Sequence, residues 1–145
     1  MGVTYYPIDE DAARRANELN SYFSYKPGYA TERYRACVDD AVKLAEKQKQ
    51  LVDPMYHEKI DGLLDRYARK LAEYINKGNE IDSRVPSVLI AGPANFPVKA
   101  KEKQNAARDR NMEFYAEVQG ILRKIKSVGM GGILVGTEVS GSTRC

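Results

Sequence analysis

The sequence predicts an all-α protein: a helical hairpin plus a long fourth helix, with an ordered Pro/Gly loop packed against that helix. Three observations predict it. Apolar residues recur at intervals of three and four over most of the chain, as one buried face of an α-helix requires. The interruptions carry Pro and Gly where helices start and stop. The single short apolar run that could be a strand, Val88 to Ala91, has no obvious second strand to pair with.

Each element follows from its own punctuation. The first helix is expected from about Asp9 to Ser21, acidic at its start, with Ala12, Ala13, Ala16 and Leu19 on one side. Pro27-Gly28 then breaks the periodicity. Thr31 reads as the N-cap of a second helix reaching about Leu51, with Tyr34, Cys37, Val38, Ala41, Leu44 and Ala45 inward and Gln48 interrupting the stripe. Asp53-Pro54 starts a third helix, since proline at the first helical position loses no hydrogen bond. Its stripe runs through Ile60, Leu64, Tyr67, Leu71 and Ile75, and Gly78 is the expected stop. So short a connection between the second and third helices predicts an antiparallel hairpin. The pattern is lost from Ile81 to Val98, where three prolines and a glycine surround the apolar run. The fourth helix is expected over Lys99 to Val128, with Ala107, Phe114, Val118, Ile121, Leu122 and Ile125 inward and Gly129 ending it.

The chain has 145 residues, 43% hydrophobic and 30% charged, which suits one folded domain. That domain is expected over 1–133, with the Gly- and Ser-rich 134–145 as a flexible C-terminal tail. Cys37 and Cys145 have no metal-ligand spacing, and the N-terminus lacks a basic region followed by an apolar core. No apolar run approaches the roughly 18 residues that span a bilayer. The expected setting is the cytoplasm, with no membrane, metal or cofactor.

The net charge of +3 argues for no particular partner, but it is unevenly placed. Lys99 to Lys126 carry +4 and the rest of the chain −1. Lys99, Lys101 and Lys103 stand in the first turns of the fourth helix, where the helix dipole disfavours cations. With Arg108 and Arg110 they form a candidate surface for nucleic acid or another anionic partner, or else a solvated face paired with Glu102 and Asp109. Gln104 and Asn111 lie on the inward line of the same helix, where buried amides need partners. They are expected, with Asn95 in the loop itself, to clamp the Ala91 to Val98 loop. Tyr22, Phe23, Tyr25, Tyr29 and Tyr34 crowd one region, either to cap the ends of the core or to stack bases.

Catalysis finds little support. His57 has no second ligand and no nucleophile beside it, and Glu58, Asp61 and Asp65 have Lys59, Arg66 and Arg69 as neighbours. No enzymatic activity is expected.

The segments YKPGYATERYRACVDDA, IDGLLDRYARKLAEYINKGNEI and above all GPANFPVKAKEKQNAARDRNM resemble a family of uncharacterised helical proteins carried by phages and conjugative elements of gut bacteria. The similarity spans roughly Ser21 to Ile133. It brings no catalytic residue with it. After Ile133 the chain departs from the family pattern, with LVGTEVSGSTRC in place of further charged helical sequence. The resemblance implies handling of nucleic acid or the defeat of host defence. The expected function is therefore a non-enzymatic mobile-element accessory protein that docks its basic helix on nucleic acid or a nucleoprotein complex. The alternative is an anti-CRISPR-like inhibitor that binds a host defence effector.

Overall fold

The computed structural model describes residues 3–86, 92 and 96–130, and among these the regular structure is helical throughout. Helix α1 is Glu10–Asn20, and the Asp9 carboxylate caps it by accepting from the Ala12 N–H at 3.0 Å. Helix α2 is Tyr29–Leu51. Thr31 is not its N-cap: the helix opens two residues earlier, after Gly28 at φ +84°. Gly28 has no side chain to offer, so the cap comes from elsewhere. The Glu10 carboxylate of α1 accepts from the Gly28 N–H at 3.0 Å, the Thr31 N–H at 2.9 Å and the Thr31 hydroxyl at 2.5 Å. A carboxylate at a helix N-terminus is favoured both by the unsatisfied N–H groups and by the helix dipole.

A single 3-10 turn, Pro54–Tyr56, follows Asp53 and leads into α3, His57–Asp82. Asp53 stands at the N-cap position but its side chain makes no capping bond. Gly78 does not stop α3, which continues for another turn. The reason is a helix crossing. A Cβ at Gly78 would lie 3.3 Å from Nδ2 of Asn111, which donates to the Tyr74 carbonyl at 3.1 Å. Glycine here gives close approach to a neighbour rather than a left-handed turn.

Helix α4 is Val98–Ser127 and runs antiparallel to α3, which is the hub of the bundle. Helices α2 and α3 are antiparallel as expected, with the Lys49–Asp61 ion pair at one end and the Tyr34 hydroxyl donating to the Ala68 carbonyl at mid-length. The most extensive packing, however, is between α3 and α4. Tyr34, Val38, Ile60, Tyr67, Leu71, Val118, Leu122 and Ile125 form the centre of the core, all fully buried. Each such side chain contributes about 1.5–3 kcal/mol by leaving water. Gln48 does not interrupt this core idly: its Nε2 donates to the Val128 carbonyl at 2.8 Å and ties α2 to the end of α4. Gly129 ends α4 at φ +76°, and a Cβ there would stand 2.7 Å from Cγ1 of Val52. No helix among the described residues is long and apolar enough to cross a membrane.

Candidate nucleic-acid interface

At about 100° of rotation per residue, the five cations singled out in the sequence cannot share one face of α4. Lys99, Lys103 and Arg110 fall on one flank of the buried line Gln104, Ala107 and Asn111, and Lys101 and Arg108 fall on the other. The second flank faces the end of α1. There Arg108 donates to Asp82 at 2.6 and 3.2 Å and to Asn105 at 3.2 Å, so much of its charge is spent within the protein. Arg108 is a fastener between α4 and the end of α3. Lys99, Lys103 and Arg110 are exposed, and the ion pairs of the described residues include none of them.

The first flank opens on a cleft of about 500 Å³ between α3 and α4. Arg110 and Phe114 line it from α4, Glu73 and Lys77 from α3, and Arg84 from the turn beyond. Lys70 places its ammonium 5.5 Å from the centre of the Phe114 ring, a cation–π contact. Sequence reasoning missed Lys70, Lys77 and Arg84. Their spacing of seven residues was the available signal, since seven residues make about two turns and return to the same side. Reading Gly78 as a helix stop hid it.

The charges in the cleft are partly neutralised. Glu80 accepts from Arg84 at 2.7 and 2.8 Å and from Lys77 at 3.4 Å. The Arg84 hydrogen bonds hold the Glu80 carboxyl below its ordinary range, against a smaller opposing effect of burial. Arg84 is raised in turn by Glu80. An anion entering the cleft therefore meets Arg110 first, with Lys77 next and the Glu73 carboxylate opposing it.

The start of α4 adds to the attraction. Pro97 occupies the N-cap, no side chain of the described residues caps the first turn, and no acidic residue lies in it. Its N–H groups thus point outward without a carboxylate to meet them.

The two inward amides find partners on α3 and the turn that follows it. Gln104 is 1% exposed and donates to the carbonyls of Ile81 at 2.8 Å and Val85 at 3.4 Å, while Asn111 donates to Tyr74. Both fasten α4 to α3 and its C-terminal turn; most of the loop they were expected to clamp lies outside the described residues. The last turn of a helix has carbonyls without intrahelical partners, and Gln104 finds one of them at Ile81, with Val85 just beyond the helix. Asn95 lies outside the described residues, with most of that loop and the tail.

The aromatic cluster divides. Tyr34 is core and Tyr25 is half-buried, but Tyr22 and Phe23 are 77% and 83% exposed at the end of α1. His57 is half-buried and its Nε2–H donates to the Lys49 carbonyl at 2.9 Å, closing the end of α2. Asp61 and Asp65 likewise find tertiary partners, Lys49 at 2.5 Å and the Tyr6 hydroxyl at 2.5 Å, rather than neighbours on their own helix.

Comparison with protein-family models, with curated proteins and with solved structures finds no match to this chain. The site must speak through its own chemistry. It is an all-α scaffold presenting an open, mainly cationic cleft beside a helix start that no side chain of the described residues caps.

Proposed function

We propose that this chain is a non-enzymatic accessory protein that docks the α3–α4 cleft and the start of α4 on the phosphate backbone of nucleic acid, alone or within a nucleoprotein complex. One observation carries the reading: Arg110, without an internal ion pair among the described residues, lines a cleft shared with Lys77 and Arg84, and the exposed Lys103 stands two turns before it on the same line of α4. Lys99 and Lys101, in the first turn of α4 where the helix dipole opposes cations, would also gain from an external anion. The resemblance to mobile-element proteins is consistent with that partner.

The test is fluorescence anisotropy with labelled DNA and RNA duplexes over a series of salt concentrations. Binding should weaken steeply with salt, and the double variant Lys103→Glu/Arg110→Glu should lower the log–log slope by about 2, one counterion-release step per lost phosphate contact. Binding by the double variant with an unchanged slope would remove this site from the reading. The anti-CRISPR-like alternative rests on a different surface. Leu51 and Met55 are 62% and 76% exposed at the opposite end of the bundle, where α2 meets α3. Capture of a purified defence effector that survives reversal of Lys99, Lys101, Lys103, Arg108 and Arg110, and is lost with Leu51→Asp/Met55→Asp, would favour it.

A further inference from the structure

A second cavity, of about 450 Å³, lies between α1, α2 and the C-terminal half of α3, on the opposite side of α4 from the basic cleft. It is a partly open groove rather than a void in the interior, and small residues make room for it. Here Ala13 and Ala16 of α1, Ala30 of α2 and Gly78 of α3 stop short of one another. The floor is apolar, formed by Leu71 and Ile75.

Its aromatic walls are held in place. The Tyr25 hydroxyl donates to Glu10 at 2.6 Å and accepts from the Ala30 N–H at 3.0 Å. Tyr74 is fixed by its ring contact with Tyr115, with centroids 4.5 Å apart. Tyr29 carries the Arg33 guanidinium 5.6 Å from its ring centre.

The polar rim separates into committed and available groups. Asn17 and Asn20 spend their amides on backbone carbonyls, at 2.7 Å to Phe23 and at 2.8 and 2.9 Å to Ala16 and Asp82. The half-buried Asn79 amide has no hydrogen bond among the described residues. Arg33 makes one long bond, 3.5 Å to the Tyr29 hydroxyl, and no ion pair among them. An occupant that satisfies this rim has a flat apolar body for the tyrosines, an edge carrying both donor and acceptor for an amide, and an anionic group for a guanidinium. Asparagine bonds an adenine edge bidentately, and arginine suits phosphate.

We propose that this cavity binds a nucleotide, its base against the tyrosines with an edge on Asn79 and its phosphate on Arg33. The nucleotide is either free or an unpaired residue of a strand. In the second case the inference deepens the nucleic-acid reading and rests on it; in the first it stands apart.

The experiment has two arms on the full chain. In the first, AMP, GMP, CMP and UMP are titrated and followed by calorimetry. AMP should bind saturably, and Asn79→Ala and Arg33→Ala should each weaken it by about tenfold. Ala16→Leu, which narrows the cavity, should weaken AMP binding while leaving the helical circular dichroism signal intact. Should Ala16→Leu fail to fold, the exposed Arg33→Ala variant carries the same test. In the second, an oligonucleotide duplex with one unpaired adenine is compared with the continuous duplex. Tighter binding of the former, removed by Asn79→Ala but not by Lys103→Glu/Arg110→Glu, assigns the strand as source; equal binding of the two alongside AMP binding assigns the free nucleotide. No saturable binding of any of the four nucleotides up to about 5 mM together with equal binding of the two duplexes, or nucleotide binding indifferent to Arg33→Ala and Asn79→Ala, overturns the proposal. The basic cleft is judged separately by its salt slope, so either reading can fail alone.

Discussion

Replacing Glu10 tests the fold at its least local joint. Its carboxylate accepts from the Thr31 hydroxyl and N–H, the Tyr25 hydroxyl and the Gly28 N–H, and so caps α2 and fixes one wall of the cavity. A hydrogen bond to a charged acceptor is worth about 1.5–3 kcal/mol, and losing a good N-cap costs up to about 2. These bonds share one acceptor in a half-exposed site where water can re-solvate the donors. Glu10→Ala should therefore cost about 2–3 kcal/mol, a fall in Tm of about 4–12 °C. Burial raises the Glu10 pKa, but the hydrogen bonds from Thr31, Tyr25 and Gly28 outweigh it and the net shift is downward from 4.5. The stabilisation is thus fully present above the unfolded-state pKa and is lost as pH falls through the lower folded-state value. Urea unfolding followed by circular dichroism, at neutral pH and again in acid, measures both effects. A variant within about 0.5 kcal/mol of the parent at neutral pH, or a deficit that does not narrow in acid, would refute the reasoning.

Other perturbations have equally definite outcomes. Gly129→Ala combines a left-handed backbone with a Cβ 2.7 Å from Val52, and should cost about 2–4 kcal/mol in the same unfolding assay. Asp61→Asn removes the nearer of two carboxylate partners of Lys49, whose side chain is 14% exposed, leaving Glu46 at 3.7 Å, and should cost about 1–3 kcal/mol. The hydrogen bond to Asp61 raises the Lys49 pKa against a smaller effect of burial, so this contribution is whole below the ordinary 10.5 and disappears as pH rises through the folded-state value. Variant and parent should accordingly converge at strongly alkaline pH. Gln104→Ala deletes the donor to the Ile81 and Val85 carbonyls, and should cost about 1–3 kcal/mol. Hydrogen exchange should rise first in the last turn of α3.

Much of the secondary structure was legible because its signals are local. Asp9, Pro54 and Gly129 each act on the turn beside them, and the inward stripes of α3 and α4 follow from helical periodicity. The misreadings came where a partner distant in sequence replaced a local rule. Thr31 looked like a cap until Glu10, on another helix, supplied one. Gly78 looked like a stop until Asn111 came close enough to need its missing Cβ.

The candidate site was legible in composition only. The sequence by itself determined four amphipathic helices and an excess of cations in the last of them, because propensity, periodicity and charge are properties of neighbouring residues. Tertiary structure alone decided that Arg108 is spent on Asp82, that Lys77 and Arg84 join Arg110 across a cleft, and that alanines on α1 and α2 with a glycine on α3 leave a cavity between them. Those facts depend on which helix faces lie opposite each other, and no residue carries that information until its distant neighbour is in place.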